Sequence, residues 1–555
     1  MNFAGNAGHG RNVHLSVTLG TLRLRRIGVS TRPLERASPA NIVEKALSVS
    51  ARVANPPQRL TDRRVFFLLS TLTLCSAVAA QWLTSSIDPL RGDSAEYLYF
   101  DPSRTVGYPA FLALVRLLTG HVGVAVAAQT WLLAGSLLLL GWTFHQLVRR
   151  PVYSIGFQLL ILANAGMWFS SAFLMTEALS TALVAFWCAQ LLRMIKKPRG
   201  GSYGTLVAIS AIGTMVRPSL VALFFGTALF ALTAENPRHC LKALALSAAG
   251  LVSAWAATPI SQLLAHGSLH TTSPLARGVL QHTLYCDPRS VPKDGDSAFV
   301  ERSAEPVRHY INAAPADMQE QFRREYSTPL RFGLIIPVLG RRHGLETRSE
   351  VDPYLARIAD ERVLAAPACY ARSVANEYLR LAAFDTDPSA EDARAVNAFA
   401  KRHPPVEVAE YPVLSGDDRL ARRAAAEIRN SPAGLNPARQ QFHVVGGVPF
   451  LALLPLRLLH AAAALVGAIS LLALLFRQRL AREIQPAIVP VAAMGAALHG
   501  ILAITAIVEI GFFRYLVPCW PLVCTVTAVA ALTAGRVKRS RSSATVGRAV
   551  AIETA

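Results

Sequence analysis

The stretch HVGVAVAAQTWLLAGSLLLLGWTF, residues 121–144, decides the fold class of this chain. It contains 24 residues without a single Lys, Arg, Asp or Glu, and Arg149-Arg150 follow shortly after it. About 20 apolar residues in a helix cross the hydrocarbon core of a bilayer. The segment therefore predicts a membrane-spanning helix that ends at a basic, cytosolic boundary.

Similar apolar segments recur along the whole chain of 555 residues, which is 52% hydrophobic with a mean hydropathy of +0.34. We predict an all-α polytopic membrane protein with about ten transmembrane helices and with both termini in the cytosol. The ten predicted spans are 65–83, 121–144, 152–172, 178–195, two short helices within 203–233 that meet at Arg217-Pro218, 243–264, 458–476, 486–508 and 515–534.

The basic residues support this topology. The net charge is +21, yet residues 265–445 hold 23 basic and 23 acidic residues, so the surplus lies in the tails and in the short connections. This distribution follows the positive-inside rule. No basic patch interleaved with aromatic residues accompanies the charge, so we predict no nucleic-acid partner.

The predicted organisation has five parts. Residues 1–64 form a basic cytosolic tail without helical periodicity, and residues 65–264 hold helices 1–7 with a first outer loop at 84–107. Residues 265–445 form an extracytoplasmic domain of mainly short helices. Residues 446–535 hold helices 8–10, and a second basic tail occupies 536–555.

Cysteine usage argues against a metal ribbon or a redox motif. Seven cysteines are scattered without a CxxC pair, and only Cys286 and Cys369 fall in the polar region 265–445. If that region lies outside the cytosol, these two form a candidate disulfide. His266 and His270 have i,i+4 spacing, but no acidic partners of the metal-site type lie beside them, so we predict no metal site.

The first outer loop carries acids that need an explanation. Asp93 and Glu96 are three residues apart, and a partly desolvated carboxylate at a membrane surface can act as a general base. The alternative is an ordinary solvated loop, or a helix start favoured by the helix dipole. Asp88 and Asp101 are each followed by proline, so we expect them to shape turns.

The segment Arg104-Thr-Val-Gly107-Tyr108-Pro109 follows the acids and leads into the apolar stretch 108–118, which Arg116 interrupts. It predicts a turn followed by an interfacial helix, with Gly107 permitting unusual backbone angles and proline setting the helix entry. It is either a simple loop-to-helix junction or a phosphate-binding turn that uses Arg104.

Further ionisable residues stand at the ends of apolar spans. Glu177 lies between two spans and Arg217 lies at the break in 203–233, where a guanidinium suits forked binding of a phosphate. The alternative for this pair is a structural salt bridge between them. Arg514 and Tyr515 precede the last span, and interfacial anchoring is the alternative to a binding role.

Together these motifs resemble the GT-C superfamily of polyprenyl-phosphate-dependent glycosyltransferases. The most similar branch contains protein O-mannosyltransferases, lipid A aminoarabinose transferases and related bacterial sugar transferases of lipopolysaccharide. The resemblance covers most of residues 60–535. The motifs that carry it are Asp93-Ser-x-Glu96-Tyr97, Arg104-x-x-Gly107-Tyr108-Pro109, Thr176-Glu177, Arg217-Pro218 and Arg514-Tyr515-x-x-Pro518.

The resemblance implies an inverting transfer of a monosaccharide from a polyprenyl-phosphate donor to a lipid, glycan or protein acceptor. It places the active site at the periplasmic face of a bacterial inner membrane, with no certain cofactor and a divalent cation as an option. Asp93 would be the base, with Glu96 as the second choice, and Glu177 would organise the acceptor or a cation. The residues assigned to substrate or lipid-phosphate binding are Arg104, Tyr97, Tyr108, Arg217, Arg514 and Tyr515.

Two features depart from many members of that superfamily. Thr-Val-Gly107-Tyr108-Pro109 lacks a second proline before the glycine, and the polar domain is inserted between helices 7 and 8 instead of following the last helix. Two other classes of function stay open: a multi-pass transporter or flippase, and a non-catalytic envelope-assembly protein. A transporter would place ionisable residues near the midplane in repeated halves, whereas here they cluster at one face.

Overall fold

A computed structural model describes residues 56–85, 88–90, 93–196, 200–232, 237–267, 275–286, 295–383, 398–399, 401–403, 414–429, 450–476, 485–508 and 513–535. Every regular element in these ranges is helical, and they contain no strand. The chain is an all-α, multi-pass membrane protein, as its apolar pattern predicts. Most of the predicted tail 1–64 and all of the tail 536–555 lie outside the described residues.

We define the polar domain as residues 265–445, and the described residues up to its start hold ten α-helices. In chain order they are α1 (Pro56–Thr84), α2 (Ser94–Leu98), α3 (Gly107–Thr119), α4 (Val124–Val148), α5 (Pro151–Leu162), α6 (Ala165–Ser170), α7 (Thr176–Lys196), α8 (Gly200–Val216), α9 (Ala222–Leu232) and α10 (Pro237–His266).

In the described part of the polar domain, the α-helices are α11 (Leu275–Thr283), α12 (Gly295–Ala313), α13 (Ala316–Thr328), α14 (Ile336–His343), α15 (Arg348–Ala365), α16 (Pro367–Ala383) and α17 (Ser415–Arg429). The last part of the chain holds α18 (Phe450–Leu475), α19 (Gln485–Val508), the short α20 (Phe513–Leu516) and α21, which occupies the span Val517–Gly535.

Seven of the described helices are long and apolar enough to cross a membrane: α1, α4, α7, α10, α18, α19 and α21. Three further predicted spans correspond to shorter apolar helices, α5, α8 and α9. The predicted break at Arg217-Pro218 is confirmed, because α8 ends at Val216 and a 3₁₀ turn, Pro218–Val221, precedes α9.

The single helix predicted over 152–172 is wrong. The structure has two helices there, α5 and α6, which are separated at Ala163 and Asn164. The Asn164 side chain accepts a hydrogen bond from the Met167 amide at 3.2 Å. It therefore caps α6 and starts a new helix inside an apolar segment.

Buried indole groups tie neighbouring membrane helices together. The Trp187 side chain on α7 donates to Thr227 Oγ1 on α9 at 3.0 Å, and Trp520 on α21 donates to the Ile161 carbonyl on α5 at 3.0 Å. Each indole satisfies its donor within the helix bundle while its ring fills the core. These contacts fix which helices are neighbours.

The polar domain has hydrophobic cores of its own, centred on residues such as Leu280, Ile335 and Leu355, and on Tyr310 with Phe322. They are separate from the core of the membrane helices. The polar domain, although its net charge is zero and its charged residues are many, thus buries apolar side chains in cores of its own.

Helix α16 belongs to both parts of the molecule. A disulfide joins Cys369 at its start to Cys286, with the two Cα atoms 5.9 Å apart. Further along, the Tyr378 hydroxyl lies 2.6 Å from His499 Nδ1 on α19, and Leu381 packs into the core of the membrane helices. The disulfide therefore joins the start of α16 to the end of the α11 segment, while the rest of α16 packs against α18 and α19.

We predict that this disulfide stabilises the docked domain. It closes a loop with a sequence separation of 83 residues, which corresponds to about 4.5 kcal/mol in the chain-entropy description of disulfides. Replacing Cys286 or Cys369 by serine should lower the melting temperature of the detergent-purified protein. Cys75→Ser, at an exposed free thiol on α1, is the matched control. Equal melting of all three variants and the wild type would contradict this prediction.

Candidate functional site

The first loop contains the short helix α2 and two turns that aspartate side chains stabilise. Asp101 forms a turn by accepting hydrogen bonds from the backbone and the hydroxyl of Ser103, at 2.8 and 2.6 Å. Asp88 likewise accepts from the Leu90 amide at 2.9 Å. The prediction that these two aspartates shape turns is confirmed.

The loop is anchored to the end of α10. The amide group of Gln262 donates to the Asp101 carbonyl at 3.2 Å, and His266 Nε2 lies 2.9 Å from the Phe100 carbonyl. At this point of the loop the backbone of Phe100 adopts a left-handed conformation, with φ of 49°. His266 is therefore engaged in holding the loop.

Arg104 is the central cation of the loop. Its Nη2 atom lies 3.0 Å from Asp93 and 2.6 Å from Glu96, and its guanidinium stacks on the Tyr97 ring at 4.8 Å. Burial alone would lower the pKa of Arg104, but the two carboxylates outweigh it and hold that pKa well above its usual value. The loop thus carries a fixed positive charge between two acids.

A second ion pair lies where membrane helices end. Glu177, in the first turn of α7, is 3.5 Å from Nη1 of Arg217, which follows α8. The Arg217 guanidinium also stacks on the Tyr515 ring at 5.0 Å. Both side chains of the pair are largely buried, at 4% and 11% exposed, so the charges interact in a medium poor in water.

The two ion pairs face one cavity of about 500 Å³. Its walls come from the first loop, from the ends of α7 and α8, and from apolar stretches of α10 and α19. The residues that line it are Asp93, Tyr97, Pro102, Ser103, Arg104, Thr105, Met175, Thr176, Glu177, Thr214, Val216, Arg217, Pro218, Ser219, Ala254, Trp255, Thr258, Pro259, Ile504, Thr505, Val508 and Tyr515.

The structure brings six of the predicted site residues to this cavity: Asp93, Tyr97, Arg104, Glu177, Arg217 and Tyr515. Their positions in the sequence span more than 400 residues, so the fold assembles the cluster from distant segments. A concave, mainly apolar site with a few convergent polar groups is the usual form of a ligand pocket. This cavity is therefore the candidate functional site.

Two predicted site residues lie elsewhere. Glu96 does not line the cavity and is enclosed between Arg104 and Arg348, with contacts of 2.6 and 3.4 Å. Tyr108 is fully buried behind the loop, where its hydroxyl donates to Gln129 at 2.9 Å. Both side chains therefore lie outside the cavity wall and contact residues next to it.

Arg514 belongs to the short helix α20, immediately before Tyr515. Its side chain lies outside the described part of the chain, so its predicted role in lipid-phosphate binding stays a prediction.

Gly107 allows a close approach between two helices. A Cβ atom at this position would lie 2.6 to 2.7 Å from backbone atoms of Met215 and Val216, the last residues of α8. Glycine permits unusual backbone angles, but the φ angle of Gly107 is not in the left-handed region, so the small size of the residue is what the structure requires here. The contact sets the start of α3 directly beside the residue that precedes Arg217.

Sequence reasoning did not identify several residues of the site. Thr258 and Trp255 lie inside the long helix α10 and line the cavity, with Thr258 Oγ1 accepting from the Val106 amide at 3.4 Å. Ser219 Oγ, which also lines the cavity, is buried without a hydrogen-bond partner among the described residues. Threonine and serine are common in membrane helices, so neither carried a signal.

No group of three or more His, Cys, Asp or Glu side chains that could hold a metal ion occurs among the described residues. Asp93 and Glu177 both line the cavity, so carboxylate oxygens are available there. The divalent cation named as an option stays a prediction.

Comparison with known proteins identifies no relative: no protein-family model, no curated protein and no solved structure matches the chain.

We predict that Gly107→Ala disturbs the site through packing. The added methyl group meets backbone atoms of α8, and such overpacking typically costs about 1–3 kcal/mol. The detergent-purified variant should therefore melt at a lower temperature than the wild type. Gly135→Ala on α4 is the matched control, because its Cβ would meet nothing within 4 Å. A Gly107→Ala protein as stable as that control would show that the helices can separate at no cost.

Proposed function

We propose that the protein is an integral membrane glycosyltransferase of the GT-C type. It transfers a monosaccharide from a polyprenyl-phosphate donor to a lipid, glycan or protein acceptor at the extracytoplasmic face of a bacterial inner membrane. The observation that carries the proposal is the cavity itself, which combines arginines and carboxylates at the ends of helices with apolar walls of α10 and α19. An isoprenoid phosphate has the matching division into an anionic head and an apolar tail.

The reaction requires a base, an electrophile and a leaving group. The acceptor hydroxyl or amine attacks the anomeric carbon, the bond from that carbon to the phosphate oxygen breaks, and the polyprenyl phosphate departs with the electron pair. Attack from the side opposite the phosphate inverts the anomeric centre. The base removes the proton of the acceptor as the new bond forms.

Asp93 is the better candidate for this base. It lines the cavity with 22% of its side chain exposed, whereas Glu96 is 8% exposed and enclosed between two arginines. Arg104 lies 3.0 Å from Asp93 and holds this carboxylate at the cavity. Glu177, across the cavity, would organise the acceptor or a cation.

Arg217 is the candidate anchor for the phosphate. It lines the cavity, and among the described residues its Nη1 atom has no hydrogen bond, while Glu177 lies 3.5 Å from it. A phosphate oxygen could accept from this buried donor, and a guanidinium binds phosphate in a forked geometry. The ring of Tyr515 holds the guanidinium plane from one side.

We predict that Asp93→Asn abolishes transfer while the protein accumulates normally in the membrane, because the amide cannot accept the proton. The measurement is mass spectrometry of lipid A, surface glycans and periplasmic proteins in a deletion strain that expresses the variant. Asp88→Asn is the matched control, since an asparagine can keep the turn to Leu90. Full glycan product from Asp93→Asn would overturn the catalytic assignment and favour transport or a scaffold role.

We further predict that Arg217→Gln weakens binding of a polyprenyl phosphate by about tenfold or more, as expected for losing hydrogen bonds to a charged group. Arg217→Lys keeps the charge without the fork and should be intermediate. Binding can be measured by native mass spectrometry of the purified protein with undecaprenyl phosphate. Arg193→Gln, an exposed position on α7, serves as the control. The phosphate role fails if Arg217→Gln binds this lipid as the control does.

A further inference from the structure

A second arginine reaches the acidic loop from the polar domain. Arg348 Nη1 lies 3.4 Å from Oε1 of Glu96, while Arg104 lies 2.6 Å from Oε2. Each oxygen of this carboxylate thus faces a different cation, from a different part of the molecule. Glu96 is 8% exposed and Arg348 is 25% exposed, so the contact is largely shielded from water.

Arg348 is itself held in place at the start of α15. Asp417, in the first turn of α17, contacts its Nε atom at 3.3 Å and accepts from its backbone amide at 3.4 Å. The Gly416 amide also donates to the Glu346 carbonyl at 2.8 Å, and a Cβ at Gly416 would lie 2.7 Å from that oxygen. The two helix starts are therefore locked together and present Arg348 to the loop.

The other end of α17 is fastened to the same region. Glu427 lies 3.1 Å from Arg116 on α3, and the Tyr99 hydroxyl of the loop donates to Glu427 at 3.3 Å. The Arg423 guanidinium stacks on the Tyr99 ring at 4.7 Å. The second half of α17 thus touches the first loop and α3, while its start holds Arg348, so the position of Arg348 relative to Glu96 is constrained at both ends of α17.

These contacts form a row of alternating charges that ends at the cavity: Asp417, Arg348, Glu96, Arg104 and Asp93. Burial raises the pKa of Asp417 to about 6, and Arg348 opposes that rise. Arg104 divides its guanidinium between Glu96 and Asp93. How strongly Arg104 can interact with Asp93 depends on whether Glu96 has a second cation beside it. Arg348 is that second cation.

We propose that Arg348 is a positioning residue of the candidate site: its positive charge, 3.4 Å from one oxygen of Glu96, balances that carboxylate so that Arg104 stays engaged with Asp93 at the cavity. This inference rests on the proposed function, because it assigns to Asp93 the role of the base. Without Arg348, Glu96 draws Arg104 away and Asp93 loses both its orientation and part of its cationic neighbourhood. The polar domain then completes the site without itself touching the reacting atoms.

The first test measures the loop directly and requires no substrate. Hydrogen exchange of amides in residues 93–104 is compared in the full-length purified wild type, Arg348→Gln, Arg348→Lys and Arg357→Gln. Arg357 lies on the same helix, is 60% exposed and pairs with Asp296, so it is the matched control. We expect faster exchange in Arg348→Gln and wild-type exchange in Arg357→Gln. Arg348→Lys should restore part of the protection, which a folding defect would not do.

The second test measures transfer with the donor and acceptor that glycan analysis identifies. Arg348→Gln should lower kcat by up to about 100-fold through misplacement of the base. The KM for the lipid-linked donor should stay unchanged, because the phosphate is assigned to Arg217.

The outcomes separate the two ideas. If Asp93→Asn is inactive while Arg348→Gln matches Arg357→Gln in amide exchange and in kcat, the positioning role is overturned and the proposed function stands. If Asp93→Asn keeps full transfer, both the base assignment and the positioning role fall. If Arg348→Gln lowers kcat at an unchanged KM for the donor and Arg348→Lys recovers part of that kcat, the positioning role is supported.

Discussion

One guanidinium that serves two carboxylates organises the candidate site. Arg104 contacts Asp93 and Glu96 in a place where its own side chain is only 12% exposed. In such surroundings an uncompensated charge is costly, so the loop can adopt this conformation only with the cation between the acids. The direction of Asp93 toward the cavity and the contact of Glu96 with the polar domain both follow from that arrangement.

The sequence predicted the features that depend on local composition. Apolar length identified the long helices, and the proline after Arg217 identified the break between α8 and α9. Alternation of spans placed Asp93 and Glu177 at the same end of the bundle, and they line one cavity. These inferences needed no knowledge of packing, because helix length, helix breaks and the side on which a loop emerges are properties of a segment and its order.

The features that the sequence could not reveal depend on contacts between distant segments. A small residue is needed at Gly107 because backbone atoms at the end of α8 lie directly beside it, and no local sequence pattern predicts that contact. Arg348 is one of 23 basic residues in a polar region with 23 acids, and nothing near it indicates that its partner is Glu96. Asn164 interrupts an apolar segment that hydropathy alone reads as continuous.

The pairing of charges also determines how the cavity responds to an anion. Both carboxylates that line it face an arginine: Asp93 faces Arg104, and Glu177 faces Arg217. An incoming phosphate therefore meets no uncompensated negative charge, but it has to compete with a carboxylate for its arginine. Glu177 and Arg217, at 3.5 Å, form the looser of these two pairs, whereas Arg104 is held by two acids. Under the proposed function, the donor phosphate would therefore displace Glu177 more readily than Asp93, and the candidate base would stay in place while the donor binds.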